Sequence, residues 1–156
     1  MYLKYLPLLA KRNAPRPPRE LRRIEKLAWR PMPGSLREMC VALITSGAIR
    51  EGDQRPFPQL GDASYRMVSS DPTVTDLHVD HRTRFGISAR KDPEIVFPRL
   101  ALQALAEQGI IGRVAPFHFS IYGGIREYKE IEETLAPELA SQLRQEGVDL
   151  TVFLPF

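Results

Sequence analysis

The chain has 156 residues, 43% of them hydrophobic, and a mean hydropathy of −0.26. That suffices for one packed domain, and no apolar run approaches the roughly 18–20 residues a membrane helix needs. The net charge of +3 is unevenly spread: residues 1–34 hold nine Lys/Arg and two Asp/Glu, against thirteen and seventeen in the rest.

The basic character therefore belongs to an arm, residues 1–34, and not to the domain expected over residues 35–156. No base-reading motif accompanies the arm, and Trp29 is its only interleaved aromatic in the basic stretch, so nucleic acid is not the expected partner. Docking of the arm on its own or a sister subunit fits better. At the amino terminus the charge follows the apolar part, unlike a signal peptide. A single cysteine, Cys40, excludes a disulfide framework and makes the cytoplasm the default compartment. Its apolar surroundings predict a buried thiol.

In chain order, residues 11–18 are proline-rich and predict extended linker. Leu21, Ile24, Leu27 and Ala28 share one helical face, ended by Pro31. Residues 39–49 form a short continuous apolar run, the pattern of a strand buried on both faces of a parallel sheet. Its turn, Thr45-Ser46-Gly47, lies at a carboxyl strand end, where open α/β sheets bind ligands. Residues 50–72 read as loop, with Gly61-Asp62 and Ser64-Tyr65-Arg66 as a tight polar turn. Residues 73–81 alternate as a strand: Leu77, Val79 and His81 fall on one face, Asp76, His78 and Asp80 on the other. A helix follows over residues 99–109, stopped by Gly109, and then a strand containing Phe117 to Ile121, closed by Gly123-Gly124. Ile131, Leu135, Leu139 and Leu143 predict a helix on the sheet, kinked or restarted at Pro137. Residues 148–154 predict the last strand. The order implies an α/β fold with a largely parallel sheet and helices packed on it, three-layered, Rossmann-like or flavodoxin-like, preceded by the basic arm.

No glycine-rich phosphate motif is present. All three histidines, His78, His81 and His118, lie within residues 76–123. With Asp76 and Asp80 they could make a metal-dependent hydrolase, but strand geometry sends His78 and His81 to opposite faces.

The chain resembles the selenoprotein B family of glycine, sarcosine, betaine and D-proline reductases. The resemblance is carried by Val41-Ala42-Leu43 with Thr45-Ser46-Gly47, Pro56-Phe57, Gly61-Asp62 with Ser64-Tyr65-Arg66, and His81. It continues through Asp92 with Val96-Phe97-Pro98, Gly109 with Ile111-Gly112, His118-Phe119-Ser120 with Gly123, and Glu146-Gly147-Val148-Asp149. The pattern departs at Phe85-Gly86, where the family carries Asp-His, and at Glu94, where it carries Asn.

The resemblance implies reductive C–N cleavage, in which a pyruvoyl group on a partner subunit captures a small amine or amino-acid-like substrate and a selenolate or thiolate attacks carbon. It places that selenocysteine or cysteine just after Phe156, so the α/β domain is expected to be incomplete at its carboxyl end; no cofactor is expected within the chain itself. It implies His81, His118 and Asp92 as catalytic groups, and Ser46, Gly47, Asp62, Tyr65 and Arg66 as substrate-binding groups, with Arg66 a carboxylate clamp. Other reductase subunits or copies of the chain are the implied partners. A non-catalytic assembly subunit is the remaining alternative.

Overall fold

A computed structural model of the chain describes residues 30–58, 63–81, 86–125 and 128–156. The expected arm helix, Gly61, Asp62 and Phe85 lie outside the described residues. Among those described, no helix is long and apolar enough to cross a membrane.

The fold is α/β, built on β1 (Cys40–Thr45), which is buried along its whole length. A strand so placed needs apolar side chains on both faces, and CVALIT supplies them. β7 (Leu150–Leu154) pairs with one edge of β1 in parallel, from Val41↔Leu150 to Thr45↔Leu154. Because β7 fills that edge, β5 (Arg113–Val114) and β6 (Phe117–Ile121), also parallel to β1, follow one another along the other edge. β3 (Tyr65–Ser69) closes that side, antiparallel to β6.

The ladder slips between β5 and β6. From Val41↔Val114 to Ile44↔Phe119, β1 advances three residues and its partner five. Pro116, which has no N–H to give a rung, sits in the resulting bulge. The slip takes a backbone acceptor from Leu43. Its N–H donates instead to Nδ1 of His118, at 3.3 Å.

Two helical layers cover the sheet. On one face Val41 and Leu43 pack with Val96, Phe97 and Leu102, the last from α2 (Arg99–Glu107). On the other, Ile44 and Phe119 pack with Leu135 and Leu139. These last belong to one continuous helical stretch: α3 (Tyr128–Glu130), a π-helical turn (Ile131–Leu135) and α4 (Ala136–Gln145). The expected stripe is therefore real, and the kink expected at Pro137 takes the form of a wide turn just before it. The N–H of Ala136 reaches back five residues to Ile131 O. Gly109 and Gly147 stop their helices at φ of 66° and 64°.

Two expectations need correction. Residues 50–72 are not all loop: β2 (Ile49–Glu51) and β3 are strands. β3 was hidden because Tyr65 and Arg66 read as turn polarity, whereas an edge strand tolerates them. The strand expected over residues 73–81 shrinks to β4 (Leu77–Val79), which pairs antiparallel with β2 in a ribbon separate from the main sheet. A short helix, α1 (Gly86–Lys91), precedes Asp92 and has no apolar period to announce it.

Candidate functional site

Four chain segments end together beside the turn after β1. Thr45, fully buried, donates from Oγ1 to Val96 O at 2.8 Å and accepts from the Gly47 N–H at 3.1 Å. The Ser46 N–H bonds Leu154 O at 3.1 Å. The Ser46 hydroxyl accepts from the Phe156 N–H at 2.7 Å and lies 3.4 Å from Phe156 O. Ala48 turns the chain with φ of 54°, a strained value for alanine, and is held there by Ile121 O on its N–H and the Asp80 N–H on its carbonyl. Gly47 bridges to Tyr122 at the end of β6. The carboxyl ends of three parallel strands thus meet where open α/β sheets place ligands.

His81, two residues beyond β4, projects into this meeting point and is 7% exposed. Its ring stacks on Tyr122 at 5.1 Å and 27°, and meets Phe156 edge-on at 5.1 Å. Burial holds its pKa below the ordinary value, so the imidazole is neutral at pH 7. Gly123 lets these pieces meet. A Cβ there would stand 3.0 Å from Phe156 O, 3.1 Å from Ser46 O and 3.3 Å from His81 Nε2. Gly86 does the same from α1, since its Cβ would fall 2.6 Å from His81 O. Gly86, one of the positions that depart from the expected reductase pattern, is thus one where a Cβ would crowd the backbone. Arg50 and Asp80 brace the floor: Asp80 Oδ2 accepts from Arg50 Nε at 3.1 Å and from the Phe57 N–H at 2.8 Å.

Of the other expected site residues that are described, Tyr65 and Arg66 lie on β3 opposite Ile121 and Ser120, beside this same end of β6. His118 is fully buried on β6, four residues before Tyr122 and so about 13 Å back along the strand. Since Nδ1 accepts from Leu43, the neutral ring carries its proton on Nε2, which finds no hydrogen-bond partner among the described residues. Burial, with the nearby Arg99 cation second, lowers its pKa to about 4. Asp92 is exposed and caps a turn, accepting from the Glu94 N–H at 3.1 Å. Tyr65 packs edge-on against Phe119 at 5.9 Å. Arg66 binds the carbonyls of Arg55 (2.8 Å) and Tyr65 (2.8 Å) and lies 4.2 Å over the Phe57 ring. It borders a surface depression of about 420 Å³ lined also by Gln54, Arg55 and Met67.

His78 is exposed and paired with Asp76 at 3.0 Å, so the three histidines do not converge. No group of three metal-ligating side chains gathers among the described residues. Cys40 is buried in β1, and burial raises its pKa, as a structural thiol requires. Tyr122, Phe156 and Gly86 were not legible as site residues. The Gly123-Gly124 pair after an aromatic was the one local signal of close approach.

Fold and site together define an α/β domain whose candidate site lies at the carboxyl ends of parallel strands. The chain is 34% identical over 121 residues to the D-proline reductase subunit gamma of Acetoanaerobium sticklandii, a match covering 78% of this chain and 50% of that protein. The chain spans about half the length of this relative. The similarity supports a relationship to reductase subunits. No family model and no solved structure matches the chain.

Proposed function

We propose that the chain is part of a reductase subunit of the selenoprotein B type, acting in reductive C–N cleavage of a small amine or amino-acid-like substrate. The relative's name points to D-proline as the first substrate to try. One observation carries the reading: the Ser46 hydroxyl holds Phe156 beside His81, in space that Gly123 leaves open. A selenocysteine or cysteine following Phe156 would emerge at the carboxyl ends of β1, β6 and β7. There it would supply a soft anionic nucleophile toward carbon, with a pyruvoyl group on a partner subunit holding the amine.

The chain's own residues have separable roles in this reading. Ser46 orients the backbone leading to the nucleophile. His81, neutral and partly desolvated, can accept or return a proton. Tyr122 and Phe156 fix the imidazole plane. His118 and Asp92 act on the fold, His118 by completing a sheet rung and Asp92 by capping a turn.

The test begins with the coding sequence after codon 156. A cysteine codon or in-frame UGA there, followed by further α/β sequence, supports the proposal. The encoded protein, with its partner subunits, should then consume D-proline or a related amine, and Ser46→Ala should lower kcat with little effect on KM. Absence of any chalcogen residue at that position ends the reading.

A further inference from the structure

We propose that β7 is an interior strand of the assembled protein, paired along its open side by a strand from the polypeptide corresponding to the half of the reductase relative that this chain does not span. The choice of occupant rests on the reading above; the open edge itself does not. Among the described residues β7 pairs with β1 alone. The bond from the Ser46 N–H to Leu154 O, within the register Thr45↔Leu154, turns the peptide groups of Leu150, Val152 and Leu154 toward β1. Alternation then turns those of Thr151 and Phe153 outward.

The side chains agree with the backbone. Phe153 is 55% exposed and Val152 38%. Val152 is in register with Leu43, on the α2 face, and Phe153 with Ile44, on the α4 face. Val152 and Phe153 thus leave both faces open in the middle of β7, while Leu150 and Leu154 pack partly against the α2-side core. Its sequence, LTVFL, has no charge, proline or bulge to deter pairing. The opposite edge differs: β3 carries Arg66 and Ser69, and none of its residues is fully exposed.

An occupant must bring a strand and apolar cover for both faces. A second copy docking through its own β7 would bring a strand equally uncovered at Val152 and Phe153. The unspanned half of the relative is as long as the matched half, enough chain for a strand and its cover.

The test compares residues 1–156 with the longer protein encoded past codon 156, by amide hydrogen exchange and sedimentation over a range of concentrations. In residues 1–156, the Thr151 and Phe153 amides should exchange quickly. In the longer protein they should slow by about a hundredfold or more, the scale of a strand drawn into a cooperative unit. Phe153→Lys should abolish that protection in the longer protein while leaving the unfolding midpoint of residues 1–156 unchanged. Slow exchange in monomeric residues 1–156, protection that rises with its concentration (a second copy), or fast exchange in the longer protein would each overturn the inference. So would the absence of any folded sequence after codon 156. Turnover by the longer protein with an unprotected β7 sinks the docking alone. A protected β7 in a protein without the chalcogen residue sinks the functional reading alone.

Discussion

Replacing Gly86 with alanine tests whether α1 sets the position of His81. In an ordinary helix this change is favourable by about 0.5–1 kcal/mol. Here the new Cβ would lie 2.6 Å from His81 O, some 0.8 Å inside the 3.4 Å at which ordinary contact begins. The obstacle is backbone, so no side-chain rotation relieves it. Overpacking of this kind costs about 1–3 kcal/mol, which exceeds the propensity gain. We expect Gly86→Ala to lose about 1–2 kcal/mol in urea unfolding, or several degrees in Tm. A displaced His81 also loses part of its packing between Tyr122 and Phe156. Burial is what depresses its pKa, so ring-proton NMR should show the titration move back up toward 6.5. A variant as stable as the parent, with His81 titrating unchanged, would refute the argument. A loss of stability without the pKa change would show that the clash is absorbed away from the site.

Acidification should destabilise the fold in a defined window. His118 has a folded pKa of about 4 against an ordinary 6.5, so below 6.5 the unfolded chain binds more protons and stability falls as pH drops toward 4. The full shift corresponds to about 3 kcal/mol, and His118→Gln, which retains an acceptor for Leu43, should flatten the slope seen in denaturant melts across that range. Thr45→Val leaves Val96 O and the Gly47 N–H without their partner and should cost about 1–3 kcal/mol, read by thermal unfolding. Gly123→Ala should move His81 or Phe156, seen as altered exchange of the Phe156 amide, because its Cβ would crowd two carbonyls at once. Asp80→Ala removes the acceptor of both Arg50 and the Phe57 N–H, and should loosen residues 55–58 to proteolysis more than it lowers global stability.

Periodicity revealed the sheet's central strand and both covering helices, because their side chains answer to one dominant environment. CVALIT is apolar on both faces, and Leu135 and Leu139 recur on one side of a helix. It failed where partners decide. β3 is a strand because β6 offers it an edge, which no local pattern in YRMVS declares. The site divided in the same way. Ser46 and Gly47 were singled out from a strand end and His81 from the family resemblance, and the structure brings Ser46 and His81 to the same pair of residues, Gly123 and Phe156. Asp92, Tyr65 and Arg66 have residue types suited to chemistry; Asp92 caps its own turn, Tyr65 packs against Phe119 on β6, and Arg66 holds the carbonyl of Arg55. The hydrogen bond of His118 could not be foreseen before the two-residue slip beside Pro116 was seen, since its Nδ1 accepts from Leu43 where a peptide carbonyl is missing.

The wide turn at Ile131–Leu135 fixes an angular offset within one helical rod. An α-helix advances about 100° per residue, and the extra residue in a π turn lets the preceding segment present a different side than an unbroken helix would. Tyr128 and Lys129 are thereby rotated relative to the face on which Leu135 and Leu139 lie against the sheet. Removing one residue from this turn would swing everything before it by about a quarter of a revolution while the segment from Ala136 onward stayed seated. The side that Tyr128–Glu130 present is thus keyed to a residue count within the turn.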